Sequence, residues 1–109
     1  DLSPIIVLSR QSDGGEDLYR RLADKNIRHI VINAAEALRT KSYKFLQWDE
    51  RSFRVFKEFW AVHAKLSFRH VDESEGAALF VYDIVDRSEE PADIPSVIIQ
   101  SWIDQSPTP

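Results

Sequence analysis

The side chains of this chain that could do chemistry are three histidines, His29, His63 and His70, a scatter of carboxylates and several serines. A zinc site needs three or four ligands converging on one point. His29 falls inside a strand-like run and His63 ends a helix-like one, so His70 alone has acids close to it in sequence. With Asp72, Glu73 and Glu75 of the adjacent turn it could gather a divalent ion, although solvated turn charge is the ordinary reading of such a cluster. Nucleophilic hydrolysis needs a nucleophile, a base and an orienting acid in one pocket, and no nucleophile elbow is written here. Glycoside chemistry needs two carboxylates at a controlled separation. Asp49 and Glu50 are adjacent at a helix start, where Asp49 reads as a cap, and Asp83 and Asp86 flank a strand end. The loop Ser12-Asp13-Gly14-Gly15-Glu16 stands where phosphate-cradling loops stand, before a helix. It lacks the spaced glycines of a dinucleotide fingerprint and the Lys-Ser/Thr pair of a phosphate loop, and its two acids repel phosphate. No catalytic residue, metal ligand or cofactor is therefore expected. The interface candidates are the acidic turn residues Asp72, Glu73 and Glu75, with Trp102 on a short terminal amphipathic segment that needs something to pack against.

The elements that must position these residues follow from hydrophobic period and stop signals. Pro4 precedes Ile5, Ile6, Val7 and Leu8, which read as a short strand. Ser12 or Asp13 then caps a helix whose stripe is Leu18, Tyr19 and Leu22, and Asn26 ends it by tolerating the left-handed conformation. Arg28 to Asn33 reads as a second strand, apolar on both faces and hence internal to a sheet. Strand, helix and strand predict a right-handed β-α-β unit with parallel strands. Ala34 to Leu38 favours a short helix, and Asp49 caps the longest one, running to about Ala64 with Phe53, Phe56, Trp60 and His63 along one side. Leu66 to Val71 and Ala77 to Val85 predict an antiparallel hairpin closed by the turn Asp72 to Gly76. Past a polar linker with Pro91 and Pro95, Ser96 is expected to cap a final helix carrying Ile98, Ile99, Trp102 and Ile103. Trp60 and Tyr82 read as core. The expected class is α/β: a small mixed sheet with an N-terminal β-α-β unit, a long amphipathic helix and a C-terminal antiparallel hairpin. Residues 1–90 make the domain, and residues 91–109 make a linker and a short terminal helix packed on it.

Composition sets the outer bounds. A chain of 109 residues, 43% hydrophobic and 29% charged, has room for one modest core. The net charge of -4, with basic residues interleaved among acids, speaks against nucleic-acid binding. With no Cys, disulfides, thiolate metal sites and a cysteine nucleophile are out. No apolar run is long enough to cross a bilayer as a helix, and no signal peptide is visible. With no Met, Asp1 reads as the edge of a processed or excised product of a larger parent.

The order of elements resembles a known family. Glu16 to Leu22, then Lys25 to Asn33, then Glu36-Ala37-Leu38-Arg39, the aromatic helix Phe53 to His63, Leu66-Ser67-Phe68 and the strand Leu79 to Ile84 make up the pattern. It is similar to the C-terminal domains of multispanning lipid-linked-sugar glycosyltransferases, which include the dolichyl-phosphate-mannose protein mannosyltransferase superfamily. The likeness covers about residues 4–86 and lies in hydrophobic pattern and a few polar positions. It implies a non-catalytic domain on the extracytoplasmic side of a membrane, periplasmic or at the cell surface, with the membrane-embedded remainder of the same polypeptide as its partner. The family's acidic catalytic residue lies in an early loop between membrane helices, so no catalytic role transfers to this chain. Two other readings stand beside it. One is a free-standing protein-binding module of the immunity-protein kind, using the acidic turn; the other is a small-molecule or nucleotide-binding domain using the Ser12 to Glu16 loop.

Overall fold

A computed structural model describes residues 4–35, 47–90 and 92–105. Its elements in chain order are α1 (Pro4–Gln11), α2 (Gly15–Asp24), β1 (His29–Asn33), α3 (Glu50–His63), β2 (Ala64–Asp72), β3 (Ala77–Ile84) and α4 (Ser96–Gln105). The mixed α/β class and the antiparallel hairpin are as the sequence predicts.

The N-terminal β-α-β unit is not. Ile5 to Leu8 lie inside helix α1. A run of four apolar residues does not distinguish a strand from one buried turn of helix. Pro4 sits at the first position of α1, where its missing N–H costs nothing and its fixed φ suits the helix. Ile6, Leu8 and Ser9 are buried while Val7 is exposed. With α1 helical there is no parallel pair among the described residues, whose three strands form one antiparallel sheet in the order β1-β3-β2. Among the described strands β1 therefore lies at an edge, not inside the sheet as its two apolar faces suggest. It starts at His29.

Helix ends show how α3 organises its neighbours. Asp49 caps α3 as expected: its carboxylate accepts the Ser52 N–H at 2.6 Å, and the Asp49 N–H donates to Ser52 Oγ at 2.9 Å, a reciprocal pair at the helix start. Neither Ser12 nor Asp13 caps α2. Gly14 holds that position with no side-chain bond of its own, and Glu58 from α3 supplies the acceptor instead, taking the Gly15 N–H at 3.2 Å. Two turns earlier on α3, Arg51 donates to the carbonyls of Arg10 at 3.2 Å and Ser12 at 2.9 Å, where α1 ends. A single helix thus presents an anion to one helix start and a cation to another helix end, as the two dipoles require. Gly15 is demanded by contact: a Cβ there would lie 2.5 Å from the Phe59 backbone nitrogen. Asn26 ends α2 at φ 58, the left-handed conformation expected of it. Ser96 is the first residue within α4, whose opening N–H groups, on Ile98 and Ile99, donate to the Pro95 carbonyl at 3.0 and 3.2 Å.

The core fills the space between α1, α2, α3 and one face of the sheet. Phe53, Val55, Phe56, Phe59 and Trp60 of α3 are buried there with Ile6, Leu18, Leu22 and Tyr82. The wide apolar face of α3 is divided between helices and sheet, with Trp60 set edge-on to Tyr82 at 4.6 Å. Burial of Tyr82, with help from Asp93, pushes its hydroxyl above the usual tyrosine range. α4 joins through Trp102, stacked on Phe53 at 4.8 Å, and Ser101, whose hydroxyl accepts the indole N–H of buried Trp48 at 2.9 Å. Ala34 and Ala35 begin a helical turn; the rest of the helix expected to Leu38 lies outside the described residues.

Candidate interaction surface

Antiparallel partners share a face of the sheet, so strand register sorts the side chains. Ile30 opposes Tyr82 and Ile32 opposes Phe80, and all four point into the core. On the other face His29 opposes Asp83, Val31 opposes Val81 and Asn33 opposes Leu79. The bulge at Ser67 decides what β2 adds. Before it, Leu66 pairs with Tyr82 and belongs to the inner side; after it, Phe68 pairs with Val81 and His70 with Leu79. His70 and Phe68 therefore share the outer face, but Leu66 does not, contrary to simple alternation. Among the described residues no helix covers this outer face. Val31 is 63% and Phe68 50% exposed, and Leu79 and Val81 lie between them. The result is an apolar row, Val31-Val81-Phe68, flanked by His29, Asp83 and Lys65 on one side and His70 on the other.

The hairpin runs on past the helices. Lys65 to Val71 are all exposed, on both faces. Its tip is built by Asp72, whose Oδ1 accepts from Ser74 Oγ at 2.6 Å, Ser74 N at 3.0 Å and Glu75 N at 3.3 Å, and by Gly76 at φ 65. These bonds, the Ser74 hydroxyl first, hold the Asp72 carboxyl below its ordinary range. Glu73 and Glu75 point their carboxylates into solvent. Of the interface candidates, the acidic turn is thus displayed together at one end of the sheet. Trp102 is not with it; its ring is stacked within the fold.

Several of the groups considered for chemistry are held by structural bonds, while His70, Glu73 and Glu75 are exposed. His63 is buried at 1% exposure, with Nδ1 2.8 Å from the Val85 carbonyl and Nε2 2.6 Å from a Glu16 carboxylate oxygen. Both partners are acceptors, so both ring nitrogens are committed and neither is open to a substrate. Tyr19 lies flat on the same ring at 4.0 Å. His63 thus ties α2 to the end of β3. His29 pairs with Asp83 at 2.8 Å on the open face. Among the described residues no three His, Asp or Glu side chains are grouped as metal ligands. In the Ser12 to Glu16 loop, Ser12 turns inward to donate to the Leu8 carbonyl, and the Glu58 carboxylate occupies the place an anion would take at α2. A shallow cleft of about 580 Å³ beside Lys65 and Leu66 is lined by Arg87, Ser88, Glu89 and Glu90, a mixture of both signs open to water. No described helix is long and apolar enough to cross a membrane. Comparison with protein-family models, with curated proteins and with solved structures returned no match.

Sequence reasoning missed the outer apolar row. Its signal was present, since Val31, Phe68, Leu79 and Val81 are all apolar, but a run with apolar residues on both faces was read as doubly covered.

Proposed function

We propose that this chain is a non-catalytic interaction domain: an extracytoplasmic accessory domain of a membrane glycosyltransferase that docks on the membrane-embedded remainder of the same polypeptide. The observation carrying this reading is the contrast just described. Asp49, Glu58 and His63 are engaged in caps and interior ties, while an apolar row, Val31-Val81-Phe68, crosses the three described strands with Val31 and Phe68 exposed at its ends. Apolar surface of that kind marks contact with another molecule more often than it marks catalysis. The family resemblance supports the rest. Its helix into strand, its aromatic helix and its last two strands fold as α2, β1, α3, β2 and β3, whereas residues 4–8 form a helix and depart from the pattern. Support of active-site loops or of acceptor access is the role that follows.

The test uses the full-length gene product in membranes. Val31→Asp combined with Val81→Asp is expected to lower sugar transfer from a polyprenyl-phosphate donor, while the same pair in the isolated chain keeps its far-UV circular dichroism. Unchanged transfer would remove the outer face from the function. Transfer by the isolated chain would overturn the non-catalytic reading, and a gene product lacking apolar spans of about 20 residues would remove the membrane parent.

A further inference from the structure

The free edge of β2 has a property that the outer face alone does not: it is complementary to itself. Nine residues long, β2 pairs with β3 on one side, and no described strand pairs with its other side. An open edge is ordinary, and charges and bulges usually keep it from pairing by chance. Here they permit one particular pairing. Because Ser67 stands outside the alternation, Lys65, Phe68, His70 and Asp72 share the outer face, and Leu66, Arg69 and Val71 the inner one. Without the bulge, Lys65 and Asp72 would lie on opposite faces.

We infer that two copies of this chain associate through β2, antiparallel about a two-fold axis at Arg69, to give a continuous six-stranded sheet. A two-fold axis normal to the sheet keeps outer residues opposite outer residues. With the axis at Arg69, Lys65 meets Asp72 of the second copy, Leu66 meets Val71, and Phe68 meets His70, each pair occurring twice. Among the described residues Lys65 makes no ion pair, and its neighbour across the sheet, Asp83, is bonded to His29. Only Oδ1 of Asp72 is engaged in the turn, which leaves Oδ2 for the incoming ammonium. Exposed Leu66, Phe68 and Val71 lose contact with water in the same step. Sliding the register by two residues sets Lys65 against His70, Leu66 against Arg69 and Phe68 against its own copy, which loses the ion pairs and the Leu66–Val71 pairs. Two features oppose the association: Arg69 meets its own copy at the axis, and Glu89 and Glu90 beside Lys65 repel the incoming Glu73 and Glu75. A single strand pair is also a small interface, so half-association is expected on the order of 100 µM. This pairing is independent of the proposed function and of any membrane parent.

The absence of cysteine makes the register directly readable. Residue 69 faces itself across the axis, so Arg69→Cys is expected to form a disulfide-linked dimer under mild oxidation, whereas Val31→Cys, on the far edge strand, stays monomeric. Sedimentation equilibrium of the unaltered chain should show a monomer–dimer equilibrium that Lys65→Glu weakens on the order of tenfold, with the far-UV spectrum unchanged. A chain monomeric to millimolar concentration would overturn the pairing, as would a Lys65→Glu dimer of undiminished affinity. Cross-linking of Val31→Cys in preference to Arg69→Cys would assign association to the outer face instead, and would equally sink the edge pairing.

Discussion

Two histidine–carboxylate contacts of nearly equal length stand on the two sides of this molecule and do different work. His63 and Glu16 meet at 2.6 Å with the imidazole 1% and the carboxylate 70% exposed; His29 and Asp83 meet at 2.8 Å with 63% and 38% exposure. The first ring is held between Tyr19 and Phe59, and its other nitrogen lies on the Val85 carbonyl, so it joins α2, α3 and the end of β3. The second has water on most sides, and screening leaves such a pair little weight. Distance alone does not rank interactions; what lies behind the ring does. The same difference separates the closed helical side of the sheet from the open side, where side chains are left to water.

The contrast can be tested from its strong end to its weak one. Trp60→Ala removes the largest fully buried side chain, which packs on Tyr82 and Phe56 and donates to the Ala92 carbonyl. It is expected to cost about 3–5 kcal/mol in urea unfolding, a large part of what holds a domain this size together. His63→Phe keeps an aromatic ring against Tyr19 but leaves the Val85 carbonyl without its imidazole partner. A loss of about 1–3 kcal/mol is expected in the same assay. If this variant proved as stable as the parent, the interior tie would carry no weight and the contrast would fail.

Asp49→Ala removes the cap of α3 and is expected to cost about 1 kcal/mol at neutral pH. The Ser52 backbone N–H, then its hydroxyl, holds the Asp49 carboxyl below its ordinary value. The sign follows from linkage: a carboxyl lowered on folding stabilises above the unfolded value, about 3.9, and that contribution is lost as pH falls through the lower folded value. The gap between Asp49→Ala and the parent should therefore close as thermal unfolding is followed from neutral pH into the acid range. A gap that widened in acid would reverse the assignment. At the weak end, His29→Ala is expected to change stability by no more than about 0.5 kcal/mol. A loss matching that of His63→Phe would break the comparison outright.

Much of the closed side was legible in the residues. The Asp49 cap, the terminating Asn26 and the buried roles of Trp60 and Tyr82 all follow from local chemistry or from a helical stripe, and each holds. The errors cluster where a short segment had to be told apart from its alternatives. Ile5 to Leu8 carry no period of their own, and only the position of Pro4 favoured helix. The α2 cap was sought among Ser12 and Asp13 because they are near in sequence, yet its acceptor is Glu58, 43 residues away. For the candidate surface, the acidic turn was visible as a turn, but nothing local revealed that its strands project beyond the helices or that Ser67 reverses the faces of β2.

By itself, then, the order of residues determined those features whose partners lie within a few positions: caps, stops, the hairpin turn and the amphipathic side of α3. Tertiary structure decided which strand lies at an edge, which sheet face stays open and which histidine is enclosed. The reason is physical. A local bond needs only the chain's own geometry, whereas burial depends on what another segment, far along the chain, places on top.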